Sequence, residues 1–245
     1  MSKRILVVAA TTHEVARLAP ALSLPVDRGQ VATTESSGQI VDVLVAGVGM
    51  VPTAARCAQM FARQPYDLAL NVGVCGSFDA ALAIGTVVHV VVDRLPEVGA
   101  EDGERFLTVH ELGLIGENEF PFTGGALIND YQSANEALRR LARVRGVTVN
   151  TVHGREESIA ELKARFAPEV EAMDDARFMY KAQFPPQVES MEGAAFMYAA
   201  LVAGVPFMQI RAVSNAVERR NRSNWNLPLA IENLGRATLA ILDAE

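Results

Sequence analysis

The sequence predicts an α/β layered fold with a largely parallel or mixed sheet, and three observations predict it. Apolar runs rich in Val, Ile and Leu recur: RILVVAA, QIVDVLVAGV, DLALNVGV, GTVVHVVVD, GVTVNTV and PFMQIRAVS. Several are continuous rather than alternating, as in strands covered on both faces. Helix-like stretches lie between them, and such alternation is the mark of α/β layers. Finally, 245 residues, 50% of them hydrophobic, suffice to bury a real core in one α/β domain, so residues 1–245 read as a single domain.

Each element follows from local chemistry. The opening MSKR is basic, but ILVVAA is too short for the apolar part of a signal peptide and reads as a first buried strand. HEVARLAPAL, PTAARCAQMFARQ, SANEALRRLARV, EESIAELKARF and MEGAAFMYAALVAG read as helices, and an amphipathic helix is expected over much of Leu229 to Leu242. Pro52 suits a first helical turn and Gly204 a C-terminal cap. Residues Gly193 to Ile210 carry no charge, which raises the question of a membrane span. Gly204 and Pro206 divide that stretch, so helix, turn, strand is the reading. The stretch from Pro96 to Asp130, with its Glu, Gly, Phe and Pro, reads as a long loop excursion over an active-site rim.

Charge and composition exclude several functions. A net charge of -7 argues against a nucleic-acid surface, which needs clustered Lys and Arg. Arg219, Arg220 and Arg222 are then a local cluster suited to one small anion or an acidic neighbour. Two cysteines, Cys57 and Cys75, give neither a disulfide framework nor ligand spacing, and a reducing cytoplasm fits. The histidines 13, 89, 110 and 153 form no H-E-x-x-H or other paired spacing, so no catalytic zinc is expected. No G-x-S-x-G elbow appears.

Five stretches carry possible chemistry. VAGVGM has Gly47-x-Gly49 between a strand and a helix, but Pro52 stands where a dinucleotide fingerprint wants its third glycine, so tight turn packing is the default. NVGVCGSF runs a strand into Gly73, Val74, Gly76 and Ser77. Two glycines in four residues let a ligand touch backbone, although a plain turn would account for one. ESMEGAAF puts Glu189 and Glu192 before an apolar helix, where acids complement the helix dipole. A carboxylate at 192 above Gly193, Ala194 and Ala195 would equally accept from a vicinal diol, and both readings stand. TTHEVARL places Glu14 after the first strand, a usual place for a capping acid. IRAVSNAVERRNR carries Arg211 inward, stops at Ser214 and Asn215, and releases the arginine cluster. If the strands are parallel, Glu14, Glu192, Arg211 and Asn215 converge on one edge. Two carboxylates, a guanidinium and an amide suit cleavage of a sugar-to-base bond through an oxocarbenium-like state.

With those residues assembled, the chain resembles the nucleoside phosphorylase and nucleosidase family, and within it the branch that hydrolyses futalosine, a hypoxanthine nucleoside of an alternative menaquinone route. The likeness runs through VVAATTHEV, AGVGM, NVGVCGSF, ELGLI with EFPFTGGALIN, GVTVNTVHG, VESMEGAAF, and RAVSN with ERRNRSNWNLPLAI. An apparent insertion near residues 170–183 departs from the usual length.

The resemblance implies a three-layer α/β/α fold around a central mixed sheet, a homodimer or higher homo-oligomer, and no metal or organic cofactor. It implies that Glu14 is the base that activates water, that Glu192 holds the ribose hydroxyls with Met191 packing on the sugar, and that Arg211 positions water and acid. Gly73, Val74, Gly76 and Ser214 line the substrate. Asn215 falls where adenine-releasing nucleosidases carry an aspartate, and an amide suits a 6-oxopurine. Related phosphorylases read Arg-x-Gly-Ser-Cys-Gly where this chain reads Asn71-Val-Gly-Val-Cys-Gly76, so water rather than phosphate is the expected nucleophile. The rim of Arg219, Arg220 and Arg222 is a candidate for the carboxylate of futalosine's carboxyphenyl tail, with Trp225 stacking on its ring. The alternative activity is that of an adenine-releasing methylthioadenosine/S-adenosylhomocysteine or aminofutalosine nucleosidase.

Overall fold

The first strand, β1 (Arg4–Ala9), is buried on both faces. Ile5 and Val7 enter one apolar cluster and Leu6 and Val8 another, because successive strand side chains point to opposite faces. A continuous apolar run is what such a strand needs. The structure is a computed structural model, and it describes all residues except 1, 26, 28, 37 and 167–184. The insertion expected near residues 170–183 lies outside the described residues.

After β1 come β2 (Val31–Ser36), β3 (Gln39–Val45), β4 (Leu68–Ser77), β5 (Val87–Arg94), β6 (Gly99–Asp102), β7 (Arg105–Thr108), β8 (Leu127–Ile128), β9 (Ala142–Thr148), β10 (Val188–Ser190) and β11 (Phe207–Ala216). The helices are α1 (Leu18–Ala21), α2 (Met50–Arg63), α3 (Glu136–Arg139), α4 (Glu156–Arg165), α5 (Gly193–Ala203) and α6 (Leu227–Asp243). The main sheet runs β10-β9-β5-β11-β4-β1-β3-β2, with β8 beside β5. It is mixed: β3, β1, β4 and β11 are mutually parallel, whereas β5 is antiparallel to β11 and β2 to β3. β10 pairs with β9 and also, antiparallel, with β4, so β4, β11, β5, β9 and β10 close into a ring.

Helices cover both faces and make three layers. Leu18, Leu138, Ala230, Leu234 and Ile241 from α1, α3 and α6 share one cluster with β1, β3, β4 and β11. Cys57 and Met60 from α2 join Ala194, Phe196, Met197 and Ala200 from α5 in the other. Gly204 caps α5 in the left-handed region (φ 66°), as its position predicts. Asn226 caps α6 by accepting from the Leu229 N–H at 3.1 Å. The uncharged stretch is helix, turn and strand, and no helix among the described residues is long and apolar enough to cross a membrane.

Two predicted helices are much shorter than their patterns. In HEVARLAPAL only α1 is helical, because the Glu14 carboxylate turns back onto the Ala10 and Thr11 N–H groups and holds the preceding residues in turns. In SANEALRRLARV, α3 is a single turn, and β9 begins at Ala142 to fill the gap between β5 and β10. The sheet position overrides helical period there. Within Pro96 to Asp130, a two-stranded β6–β7 hairpin and β8 interrupt the expected loop.

One polar cluster ties the sheet edge together. Asp42 on β3 is fully buried and accepts from Arg4 Nε (2.9 Å), Arg4 Nη2 (3.1 Å), Thr33 Oγ1 (2.6 Å), Gln64 Nε2 (2.9 Å) and Tyr66 OH (2.8 Å). These partners come from β1, β2 and the connection after α2. Removing one member of such a network leaves the others unpaired, at about 3–5 kcal/mol. Asp42→Ala is therefore expected to lower the free energy of unfolding by about that amount, measured by urea denaturation; a change within about 1 kcal/mol would show that the cluster is not holding this edge.

Candidate active site

Because β1, β3, β4 and β11 are parallel, whatever follows their C-terminal ends shares one edge, where open α/β sheets bind ligands. Glu14 follows β1, Gly49 follows β3, Gly73 to Gly76 close β4, and Arg211 to Asn215 close β11. The site is built on that edge.

Its centre is a glycine. A Cβ built at Gly73 would lie 2.5 Å from Arg211 Nη1 and 2.8 Å from Glu14 Oε1, so the missing side chain is what lets cation and carboxylate approach. Glu14 is buried and fixed from two sides. Oε2 accepts from the Ala10 N–H (3.1 Å), the Thr11 N–H (2.9 Å) and Thr11 Oγ1 (3.1 Å), and Oε1 accepts from the Val74 N–H (3.1 Å). Arg211 is 1% exposed and donates through Nη2 to Asn71 Oδ1, while Asn71 Nδ2 donates to the Val8 carbonyl at 3.0 Å. Its Nε has no hydrogen-bond partner among the described residues.

Glu192 stands at the start of α5, but its side chain does not cap the helix. Oε1 instead accepts from the Gly49 N–H at 2.9 Å, across the cleft. Burial raises its pKa; the Arg211 charge and the Gly49 hydrogen bond pull it back down, and the Glu14 charge pushes it up further. The two carboxylates and the guanidinium thus act on one another electrostatically. Met191, half-buried, lies directly before Glu192.

A cavity of about 90 Å³ opens beside Gly76. Asn215 of β11 and Glu189 of β10 both pair with Gly76 in the sheet, one on each side. A Cβ at Gly76 would come within 3.3 Å of Asn215 Nδ2, so this glycine also keeps space open. Asn215 Oδ1 accepts from Ser214 Oγ (2.8 Å) and Nδ2 donates to the Ala216 carbonyl (2.8 Å), which leaves one amide N–H for a ligand. The carboxylate of Glu189 accepts from the His153 backbone N–H (3.0 Å) and binds its ring Nδ1 through a short hydrogen bond. Trp225 and Arg220 close the outer wall.

Comparison with known proteins places this architecture. The chain matches the phosphorylase superfamily over residues 4–243. It belongs to that superfamily. Among curated members, it is 29% identical to a futalosine hydrolase of Acidothermus cellulolyticus, over 98% of this chain and 91% of that one. It is 31% identical to a futalosine hydrolase of Thermus thermophilus, over 82% of this chain and 81% of that one. The solved futalosine hydrolase of Helicobacter pylori strain 26695 shares the fold with a TM-score of 0.77 at 13% identity, covering 99% and 98% of the two chains.

Within this phosphorylase-superfamily fold, the expected residues fall into three groups. Glu14, Gly73, Val74, Glu192 and Arg211 converge around Gly73. Gly76, Ser214, Asn215 and Trp225 gather at the cavity beside Gly76. The arginine rim divides. Arg220 stacks over Trp225 (5.4 Å to the ring centre), whereas Arg219 and Arg222 are exposed, Arg222 opening a one-turn 3-10 helix (Arg222–Asn224). Glu218 does not pair with them; it accepts from Asn224 at 3.1 Å. Three contributors were missed from the sequence. Gly49, passed over as turn packing, supplies a backbone N–H in a left-handed conformation (φ 96°). Asn71 orients Arg211, and the His153–Glu189 pair lines the cavity beside Gly76. The reaction of Asn71 to its surroundings is legible only once β4 and β11 are paired. Among the described residues, no cluster of His, Cys, Asp and Glu side chains could hold a metal ion.

The raised Glu192 pKa makes a stability prediction. Its folded pKa lies above its unfolded one, so stability is fully present below the unfolded pKa, near 4.3, and is lost as pH rises through the folded pKa. At neutral pH the ionised carboxylate is thus a strained group. Glu192→Gln keeps an acceptor for the Gly49 N–H and removes the charge, so the ligand-free variant should melt at a higher temperature than wild type at pH 7–8, with the difference vanishing near pH 4. An unchanged or lower melting temperature at pH 8 would contradict this assignment.

Proposed function

We propose that this chain hydrolyses the N-glycosidic bond of futalosine, with water as nucleophile, releasing hypoxanthine and dehypoxanthine futalosine. Support comes first from the curated futalosine hydrolases it resembles over most of its length. The observation that carries the choice of nucleophile is Asn71. A phosphate dianion at this centre would need more than one cation, and position 71 holds a neutral amide already committed to Arg211 and Val8. Val74 offers a backbone N–H but no hydroxyl, and that N–H is engaged by Glu14. Phosphate would therefore lose charge-assisted hydrogen bonds of about 1.5–3 kcal/mol each. Water needs only a base and a place to stand.

In this mechanism Glu14, fixed by four donors, takes a proton from water as it attacks C1′. Glu192 holds the ribose 2′ and 3′ hydroxyls, and exchange of its Gly49 contact for those hydroxyls couples sugar binding to the loop after β3. Arg211 orients the acids. Asn215 reads the base: its free amide N–H donates to O6 of a 6-oxopurine. The Arg220–Trp225 wall, with Arg219 and Arg222 outside it, meets the carboxyphenyl tail. We propose also a cytoplasmic enzyme working as a homodimer or higher homo-oligomer without cofactor; α2 and α5 leave Val51, Tyr198 and Val202 exposed on one outer layer, a surface suited to a second copy.

The direct experiment is purine release with and without phosphate. Hypoxanthine should appear from futalosine in phosphate-free buffer, and strict phosphate dependence with a sugar 1-phosphate product would overturn hydrolysis. Asn215→Asp should shift the kcat/KM ratio toward aminofutalosine by ~10-fold or more, since a carboxylate facing O6 leaves two acceptors opposed and each 1.4 kcal/mol is about tenfold. A ratio that does not move would remove Asn215 from base recognition.

Gly73→Ala provides the complementary test of the reaction centre. The atoms nearest the new methyl group are the ends of the Arg211 and Glu14 side chains, which must shift against the hydrogen bonds that hold them. Folding should survive with a lowered melting temperature, while turnover falls by ~10²-fold or more because the base is displaced. Full activity in the folded variant would show that the two groups do not act together across Gly73.

A further inference from the structure

Departure of a purine leaves the C1′–N9 electron pair on the base, and a good rate requires a proton to meet it. Asn215 cannot supply one, since an amide does not ionise near neutral pH. Both ends of its side chain are also held, by Ser214 and by the Ala216 carbonyl. The proton has to come from another group on the same cavity.

We propose that His153 is that acid, held in place by Glu189. The inference rests on the nucleosidase reading above. Its geometry starts from Gly76, which has Asn215 on one side in the sheet and Glu189 on the other. His153, in the loop after β9, lines the same cavity as Gly76 and Asn215. Glu189 is buried to 3% exposure and spends both carboxylate oxygens on this one residue, Oε1 on its backbone N–H and Oε2 on its ring Nδ1. A buried acid committed in this way fixes the ring orientation and keeps a proton on Nδ1, so Nε2 carries the transferable one.

The other ionisable groups on the cavity do not fit the task. Arg220 does not release its proton at accessible pH, and Glu218 is exposed and bonded to Asn224. The charges acting on His153 come from three parts of the chain. Glu189 on β10 raises its pKa most, burial lowers it, Glu97 after β5 raises it, and Arg165 at the end of α4 lowers it. The net direction is up. His153 therefore holds its second proton toward neutral pH, as an acid must.

The step balances. Water's oxygen bonds to C1′ and its proton goes to Glu14. The C1′–N9 bond breaks, its electrons stay with the purine, and the purine takes the Nε2 proton. Proton exchange with solvent then discharges Glu14 and recharges His153. His153 is the catalytic residue here and Glu189 the positioning residue.

The test separates this role from a purely structural pairing of the loop to β10. His153→Gln retains a donor for Glu189. On futalosine it should lower kcat by ~10²-fold and abolish the alkaline limb of the kcat profile, the fall as His153 loses its proton. On the same nucleoside methylated at N7, whose base is already cationic and leaves neutral without a proton, it should lower kcat less than about threefold. Glu189→Gln, which keeps the backbone contact but removes the charge, should move the alkaline limb to lower pH. Thermal unfolding of each variant shows whether it is folded. Equal losses on both nucleosides, or a folded His153→Gln enzyme with its alkaline limb intact, would overturn the proposal. A wild-type enzyme that needs phosphate would overturn hydrolysis alone, and the two-substrate comparison repeated with phosphate would still decide His153.

Discussion

The site depends on a cation buried in the sheet. Arg211 is 1% exposed on a strand with neighbours on both sides, and among the described residues its hydrogen-bond partner is the neutral amide of Asn71. A guanidinium out of water costs several kcal/mol unless negative charge is near. Here that charge is supplied through space. Arg211 acts to lower the pKa of Glu192, and it does the same for Asp93, whose burial still leaves its pKa raised to about 6. The arrangement is therefore mutual: the acids make the cation tolerable, and the cation keeps the acids nearer to ionised. Water and a sugar entering that field meet charges that are already placed, which is the condition for electrostatic catalysis without reorganisation.

The same constraint explains the glycines of β4. A strand that pairs with β1, β11 and β10 would ordinarily carry a side chain at each position. At Gly73 any side chain would occupy the space between Arg211 and Glu14, and at Gly76 it would crowd Asn215 and Val217. One strand thus makes room at two points three residues apart, for the approach of Arg211 and Glu14 at Gly73 and for the cavity beside Gly76. A rigid central strand holds their spacing more firmly than loops would.

How much of this was legible in the sequence follows from where each signal resides. Strands buried on both faces announce themselves by composition, so β1, β3, β4, β5 and β11 were readable, and Gly204 and Pro52 marked helix ends by chemistry that acts within one turn. β2 was missed because VATTES has alternate residues half-buried at an edge and little apolar weight. α1 and α3 were over-read because a carboxylate bonding to a strand end and a vacancy between two strands are tertiary facts. The site divides in the same way. Glu14, Glu192, Arg211 and Asn215 could be suspected as polar groups at strand ends. Gly49 could not, since its contribution is a backbone N–H aimed at a residue far along the chain.

His153 and Glu189 show why closure of the sheet matters. They belong to the segments around β9 and β10, and nothing in VESMEG or TVHG sets them beside Asn215. What does so is the short strand β10, which pairs with β9 on one side and with β4 on the other. That double pairing brings Glu189 opposite Gly76 and carries the loop after β9 onto the cavity beside it. An open sheet with the same strands would leave Glu189 at an edge facing solvent, where an exposed pair with histidine is worth at most about 1 kcal/mol. Inside the ring the carboxylate is dry, both its oxygens are used, and the imidazole it holds has one orientation. The fold thus gives an ordinary acid–histidine pair a dry setting and a fixed orientation, set by topology rather than by sequence neighbours.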